Sequence, residues 1–169
     1  MQRNISTFPQ LEAIRAAASD RNGKLTFYEF PPLYSEYNTL AQDQFEAASW
    51  RKGINPKAVE VPAYAMDELM NEREFHAHFI KADVEGAEAQ VVAGLKEWLN
   101  SSSSRWLALE YLAAERHNES HRKAAALLNW QGWKAFSIQT NGTLEACNNI
   151  EAHLASQGLD SDNIVFMKA

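Results

Sequence analysis

At 169 residues, 46% of them hydrophobic and 22% charged, the chain suits one globular domain, residues 1–169, that buries a core without metal or disulfide staples. A formal net charge of −6, with no Lys/Arg block, excludes a binder of nucleic-acid phosphates. No apolar run could span a bilayer, "MQRNISTFPQ" lacks the layout of a signal peptide, and a lone Cys147 allows no disulfide framework or zinc cluster, so a soluble protein of the reducing cytoplasm is expected.

Along the chain, "FPQLEAIRAAAS" reads as a short helix, or a helix running into a strand. In "DRNGKLTFYEF" the Asn22-Gly23 pair favours a tight turn, and Leu25 to Phe30 is rich in strand formers. "PPLYSEYNTL" is a loop opened by two prolines, and "AQDQFEAASWRKG" reads as a helix closed by Gly53. "AVEVPAY" is a short strand. "MDELMNEREF" follows as a short helix with Met66, Leu69, Met70 and Phe75 on its buried side. "HFIKAD" is a strand, and a single helix from Glu85 to Leu99 follows, its stripe formed by Val84, Val91, Val92, Leu95, Trp98 and Leu99.

After the polar loop "NSSSSR", "WLALEYL" is apolar on nearly every residue, the pattern of a strand covered on both faces in a parallel α/β sheet. "SHRKAAALLNWQG" is a helix ended by Gly132, and "WKAFSIQTNGTLEA" is a hairpin turning at Asn141-Gly142. "NIEAHLAS" is a short helix and "NIVFMKA" a closing strand. From Glu60 onward the order is strand, helix, strand, helix, strand, helix, hairpin, strand, which predicts an α/β fold with flanking helices and a C-terminal β-hairpin.

Open α/β sheets bind ligands outside the carboxyl ends of their strands. Asp83 stands at one such end and Glu110 at the next, so two strands could deliver two acids to one crevice. There they could orient a hydroxyl, bind a hard cation such as Mg²⁺, or act as a general base. Glu85 and Glu88 have a plainer explanation, because acids in the first turn of a helix meet its dipole favourably by ~0.3–1 kcal/mol each. Gly86 suits close backbone approach or a tight turn.

These residues carry a resemblance. "IKADVEGAEAQVVAGL", with Ile80, Lys81, Asp83, Glu85, Gly86, Glu88 and Gly94, closely resembles the signature of FkbM-family methyltransferases. "VEVPAYAMDEL" is similar to a neighbouring segment of that family, with Ala65-Met66 in place of its usual Thr-Leu before Asp67. "RWLALEYL" resembles its strand ending in glutamate, and "AAASDRNGKLTFYEF", "LLNWQGWKAF" and "NIVFMKA" resemble further segments, so the likeness runs from about Ala16 to the end. It implies a partial class I, Rossmann-like methyltransferase domain that moves a methyl group from S-adenosylmethionine to a hydroxyl of a sugar, polyketide or other small metabolite. It further implies Asp83 and Glu110 as catalytic residues, Asp83, Ser19 and Glu85 as cofactor contacts, and Tyr37, Tyr111 and His117 as substrate contacts. A divalent cation, if used, would sit on Asp83.

The resemblance also leaves gaps. The seven glycines contain no GxG spacing, so the family's Gly-rich cofactor loop is missing, and the chain starts near the family's third strand. The apolar edge of "HFIKAD" is therefore expected to be covered, by the chain's own N-terminal strands or by a second copy in a homodimer. The alternative is a truncated or degenerate, non-catalytic module that acts in oligomerisation or partner binding. Among other constellations, His117 and His121 at i, i+4 would share a helix face, as substrate or metal contacts or as a solvated helix start. His76 and His78 read as structural or surface residues. Tyr34, Tyr37 and Trp50 could line an acceptor pocket, although loop aromatics more often pack.

Overall fold

Two sheets organise the described residues of the computed structural model, namely 8, 10–41, 45–46, 48–102 and 106–168. The first contains β1 (Ala17–Ser19), β2 (Gly23–Glu29) and β3 (Lys57–Ala65), with β3 in the middle, parallel to β1 and antiparallel to β2. The expected turn forms: Gly23 takes φ 144°, and the Asn22 side chain accepts from the Ala65 N–H at 2.9 Å and donates to Glu68 at 2.6 Å. It joins two strands that are not neighbours, because β3 lies between them.

The helix expected before this turn does not form among the described residues. Positions 11–15 are irregular and Ala17–Ser19 is extended, because a run this short has little helical stability alone and β3 offers a ladder instead. In the helix expected over residues 41–53, positions 42–44 and 47 lie outside the described residues. The remainder holds a 3₁₀ turn, Ser49–Arg51. Here Trp50 stacks on Tyr34 and Tyr37 and meets Phe30 edge-on, so aromatic packing shapes this segment. A second 3₁₀ stretch, Pro32–Tyr37, occupies the proline-opened loop.

The second sheet is built from β4 (Phe79–Ala82), β5 (Trp106–Leu112), β6 (Trp133–Ile138), β7 (Leu144–Ala146) and β8 (Ser161–Lys168), in the order β4-β5-β8-β6-β7. β4 and β5 are parallel; β5–β8, β8–β6 and the β6–β7 hairpin are antiparallel. The fold is mixed α/β, as the element order predicts. β5 is buried on both faces along most of its length: Leu107, Leu109 and Tyr111 point into the core, and Ala108 and Leu112 are buried on the other face, while Trp106 at its start is 42% exposed beside its in-register partner Phe79, 55% exposed. The expected parallel sheet needs correction, because β5 runs antiparallel to β8. The N-terminal strands do not cover the edge of β4 either. They form their own sheet, and among the described residues β4 is bonded only to β5. Its shortness and Lys81 are the devices that blunt such an edge.

Among the described residues, five α-helices flank these strands: α1 (Met66–Glu72), α2 (Glu88–Ala93), α3 (Lys96–Asn100), α4 (Glu119–Trp130) and α5 (Ile150–Gln157). On α1, Met70 is buried, but Phe75 is 58% exposed, since the helix stops at Glu72 and Glu74 turns to φ 51°. The helix expected as one piece over 85–99 is two. Its stripe of Val91, Val92, Leu95, Trp98 and Leu99 is buried as predicted, with Val84 packed at the margin. The break at Gly94 comes from outside the segment. The Asp67 N–H donates to the Gly94 carbonyl at 2.9 Å, and the Asp67 carboxylate accepts the N–H groups of Glu97 and Trp98 at 2.6 and 2.9 Å, capping α3 from α1. Asn149 caps α5 from within by accepting the Ala152 N–H. Among the described residues no helix is long and apolar enough to cross a membrane.

Candidate active site at the ends of β4 and β5

The parallel register Lys81↔Ala108 and Ala82↔Leu109 brings the carboxyl ends of β4 and β5 side by side. Side chains alternate along a strand, so Lys81 and Glu110 share one face of the sheet, with Asp83 following in the same sense. The result is a cluster in which Asp83, Glu85 and Glu110 each place a carboxylate oxygen within 4.8 Å of the others. Such an oxygen set could hold a hard divalent cation. Lys81 Nζ pairs with Asp83 Oδ2 at 2.7 Å.

The three acids differ in proton affinity. The Lys81 hydrogen bond holds Asp83 below its ordinary value; burial works against this, and a hydrogen bond from Glu110 adds to it. Burial raises Glu110, and the charge of Asp83 raises it further. Asp83 therefore stays ionised beside a Glu110 that keeps its proton more tightly, as expected of adjacent carboxyls. Burial, then the charges of Glu110, Asp83 and Glu88, push Glu85 up to about 7, with Arg116 opposing.

The dipole explanation therefore fails for Glu85. α2 begins three residues later, and Glu85 (φ 48°) and Gly86 (φ 98°) form a left-handed turn ahead of it. The Thr39 hydroxyl donates to the Glu85 carbonyl at 2.5 Å, and Glu88 accepts the Gly86 N–H at 3.2 Å. Glu88 does sit in the first helical turn, but it is buried against His121 of α4, with Nε2 3.3 Å from its Oε1. Burial pushes the Glu88 carboxyl up, yet the bond and charge from His121 outweigh it and leave the group below its ordinary value.

The other expected site residues divide. Tyr37 lies near the acids: burial and then Glu36 raise its phenol, and the charges of Arg116 and Glu85 both reach it. It also stacks on Trp50 at 4.1 Å, inside the aromatic cluster with Tyr34. His117, at φ 55°, is exposed and lines a cavity of about 550 Å³ with Asp20, Gly86, Gln90, Ser120 and Lys123. It does not share a helix face with His121, because α4 starts only at Glu119. Tyr111 is directed to the opposite sheet face from Glu110, where it is buried edge-on to His121 and away from the acids. Ser19 is buried with its hydroxyl given to Asp20 and its carbonyl against Gly94, so its neighbour Asp20 reaches the cavity in its place. His76 and His78 are exposed, as expected.

Sequence reasoning missed Thr39 and Arg116, and it read His121 as a substrate or metal contact or a solvated helix residue rather than as the buried partner of Glu88. Arg116 carried a weak signal as a cation shortly after the strand that bears Glu110. Thr39 carried none, because its partner is 46 residues away.

A family model described as the methyltransferase FkbM domain matches residues 3–134, a span that contains all three acids and their supports. No curated protein and no solved structure matches the chain.

Proposed function

The chain belongs to the FkbM methyltransferase domain family, and from that premise we propose that it transfers a methyl group from S-adenosylmethionine to a hydroxyl of a small molecule. The observation that carries the reading is the convergence of Asp83, Glu85 and Glu110 at two adjacent parallel strand ends. Converged carboxylate oxygens suit a sulfonium cation, and Asp83, held ionised by Lys81, is the acid that would face it. When bound, the cofactor supplies an electrophilic methyl group. The chain's own part is to orient the acceptor and manage its proton.

Glu85, with a proton affinity near neutrality, is the general base of this proposal, since such a base works best close to the ambient pH. Glu110, whose carboxyl burial and the charge of Asp83 hold above its ordinary value, stands where it can hydrogen-bond the acceptor oxygen and fix its direction. The cavity next to Gly86, lined by Asp20, Gln90, His117, Ser120 and Lys123, offers a polar acceptor room to bind. The same acids could instead share Mg²⁺, which would then lower the acceptor's proton affinity. The parallel β4–β5 pair followed by a hairpin-bearing antiparallel end supports reading the sheet as part of a class I, Rossmann-like arrangement.

Calorimetric titration with S-adenosylmethionine, with and without Mg²⁺, tests this. Binding is expected, and Asp83→Asn is expected to weaken it about tenfold, ~1.4 kcal/mol. Its melting temperature should barely move, because a half-exposed ion pair contributes little to stability. Absence of heat at millimolar cofactor would sink the enzyme reading.

One observation favours a second reading, a non-catalytic module that self-associates. Among the described residues β4 has no strand on its outer edge, and Phe79 and Trp106 are exposed side by side. Under this reading sedimentation shows a concentration-dependent dimer that Phe79→Glu dissociates. A monomer at every concentration rejects it.

A further inference from the structure

Glu85 stands in a left-handed conformation that a glutamate keeps only where its surroundings impose it. Two hydrogen bonds impose it from opposite sides. The Thr39 hydroxyl donates to the Glu85 carbonyl at 2.5 Å, and Glu88 Oε1 accepts the adjacent Gly86 N–H at 3.2 Å. Each support is itself fixed. Thr39 is 0% exposed and its Oγ1 also accepts the Ala41 N–H at 2.8 Å. Glu88 and His121 are each 1% exposed and meet at 3.3 Å across the α2–α4 contact. Ser120, next to His121, accepts the Ala89 N–H at 3.1 Å and ties the same two helices together.

A buried acid–histidine pair is a poor way to hold two helices, since apolar residues of similar size would do so without the cost of desolvation. Here it even leaves Glu88 Oε2 and His121 Nδ1 buried without a hydrogen-bond partner. Among the described residues, the hydrogen bond that the pair makes beyond itself goes to the Gly86 amide. We infer that Thr39, Glu88 and His121 are positioning residues: they clamp the Glu85–Gly86 turn so that the Glu85 carboxylate stands against Asp83 and Glu110. The inference deepens the proposed function and rests on that reading of the crevice. The chemistry belongs to the acids, and the clamp fixes where one of them points.

The test is amide hydrogen exchange read residue by residue in the full chain. Glu88→Met and Thr39→Val should each speed exchange of the Gly86 amide at least tenfold, while the amides of Val92 and Leu128 stay within threefold of wild type. Glu88→Gln keeps an acceptor oxygen and should restore Gly86 protection. Unchanged Gly86 exchange in both Glu88→Met and Thr39→Val overturns the clamp. So does acceleration spread evenly over α2 and α4, which would mark a merely structural pair. If Glu88→Met does not fold, Thr39→Val and Glu88→Gln still decide. In parallel, S-adenosylmethionine affinity should fall with Glu88→Met as with Glu85→Ala, and combining the two should add less than twofold. A wild type that binds no cofactor removes the methyl-transfer reading, while the exchange comparison still judges the clamp.

Discussion

Glu85→Gln is expected to stabilise the folded chain at pH 8 by roughly 1–2 kcal/mol and to have almost no effect on stability at pH 5. The reason is the rise of Glu85 from its ordinary 4.5 to about 7, caused first by burial and then by the charges of Glu110, Asp83 and Glu88. A carboxyl raised on folding binds its proton more tightly in the native state. Its favourable contribution is complete below 4.5 and is lost as the pH climbs through about 7. Above that, the native state must hold an ionised carboxylate among three others, and the neutral glutamine relieves it of that charge. The magnitude is kept well below the full proton-affinity difference because Glu85 is only partly buried and water screens it. Glu110 is displaced in the same direction, and Asp83 in the opposite one. Urea denaturation in EDTA at pH 5, 6, 7 and 8 separates the cases. A difference between variant and wild type that stays flat with pH would show that Glu85 does not sit in the environment described. The same substitution removes the proposed base, so stability gained at pH 8 should accompany lost transfer, the trade-off expected where an active site holds strained charge.

The alternation of strands and helices after Glu60 was legible because side-chain period reports secondary structure directly: two for a strand, 3.6 for a helix. The turns at Asn22-Gly23 and Asn141-Gly142 were legible because left-handed backbone needs such residues. What escaped the sequence was set by partners distant along the chain. Gly94 reads as an ordinary helix residue, and only Asp67, through the Gly94 carbonyl and the N–H groups of Glu97 and Trp98, makes it a break. Strand direction is not written in periodicity, so β8 could not be seen to run antiparallel to β5. The acids themselves were found from their place at the strand ends, but their ranking was not. Asp83 looked foremost, and Glu85 looked like a dipole partner or, by the resemblance, a cofactor contact. Burial and neighbouring charges make Glu85 the group nearest neutrality, and Thr39 and Glu88 fix its turn.

Gly94→Ala should cost about 3 kcal/mol, the upper range for forcing a methyl group into a packed site. Alanine ordinarily stabilises a helical position over glycine by ~1 kcal/mol. The backbone at Gly94, φ −79° and ψ −2°, is one that alanine adopts freely, so no conformational strain enters the comparison. The cost is contact alone. A Cβ there would lie 2.0 Å from the Ser19 carbonyl oxygen, 3.0 Å from its carbon and 3.3 Å from the Met66 nitrogen. All three are backbone atoms of β1 and of the start of α1, which cannot rotate aside as a side chain would. Relief therefore requires β1 to move off the end of α2. That motion disturbs Asp20, which shares a cavity with Gly86, and strains the Asp67 bond to the Gly94 carbonyl. The urea midpoint should fall with an unchanged slope, and the Gly86 amide should exchange faster even under conditions where the variant is folded. Gly132 provides the contrast. It faces open space at φ 85°, so alanine there meets only backbone strain, and ~1 kcal/mol is expected. A Gly94→Ala chain as stable as wild type would mean that β1 does not pack against α2. The smaller sheet would then have no fixed relation to the acids, and the cavity beside Gly86 would lose one of its walls.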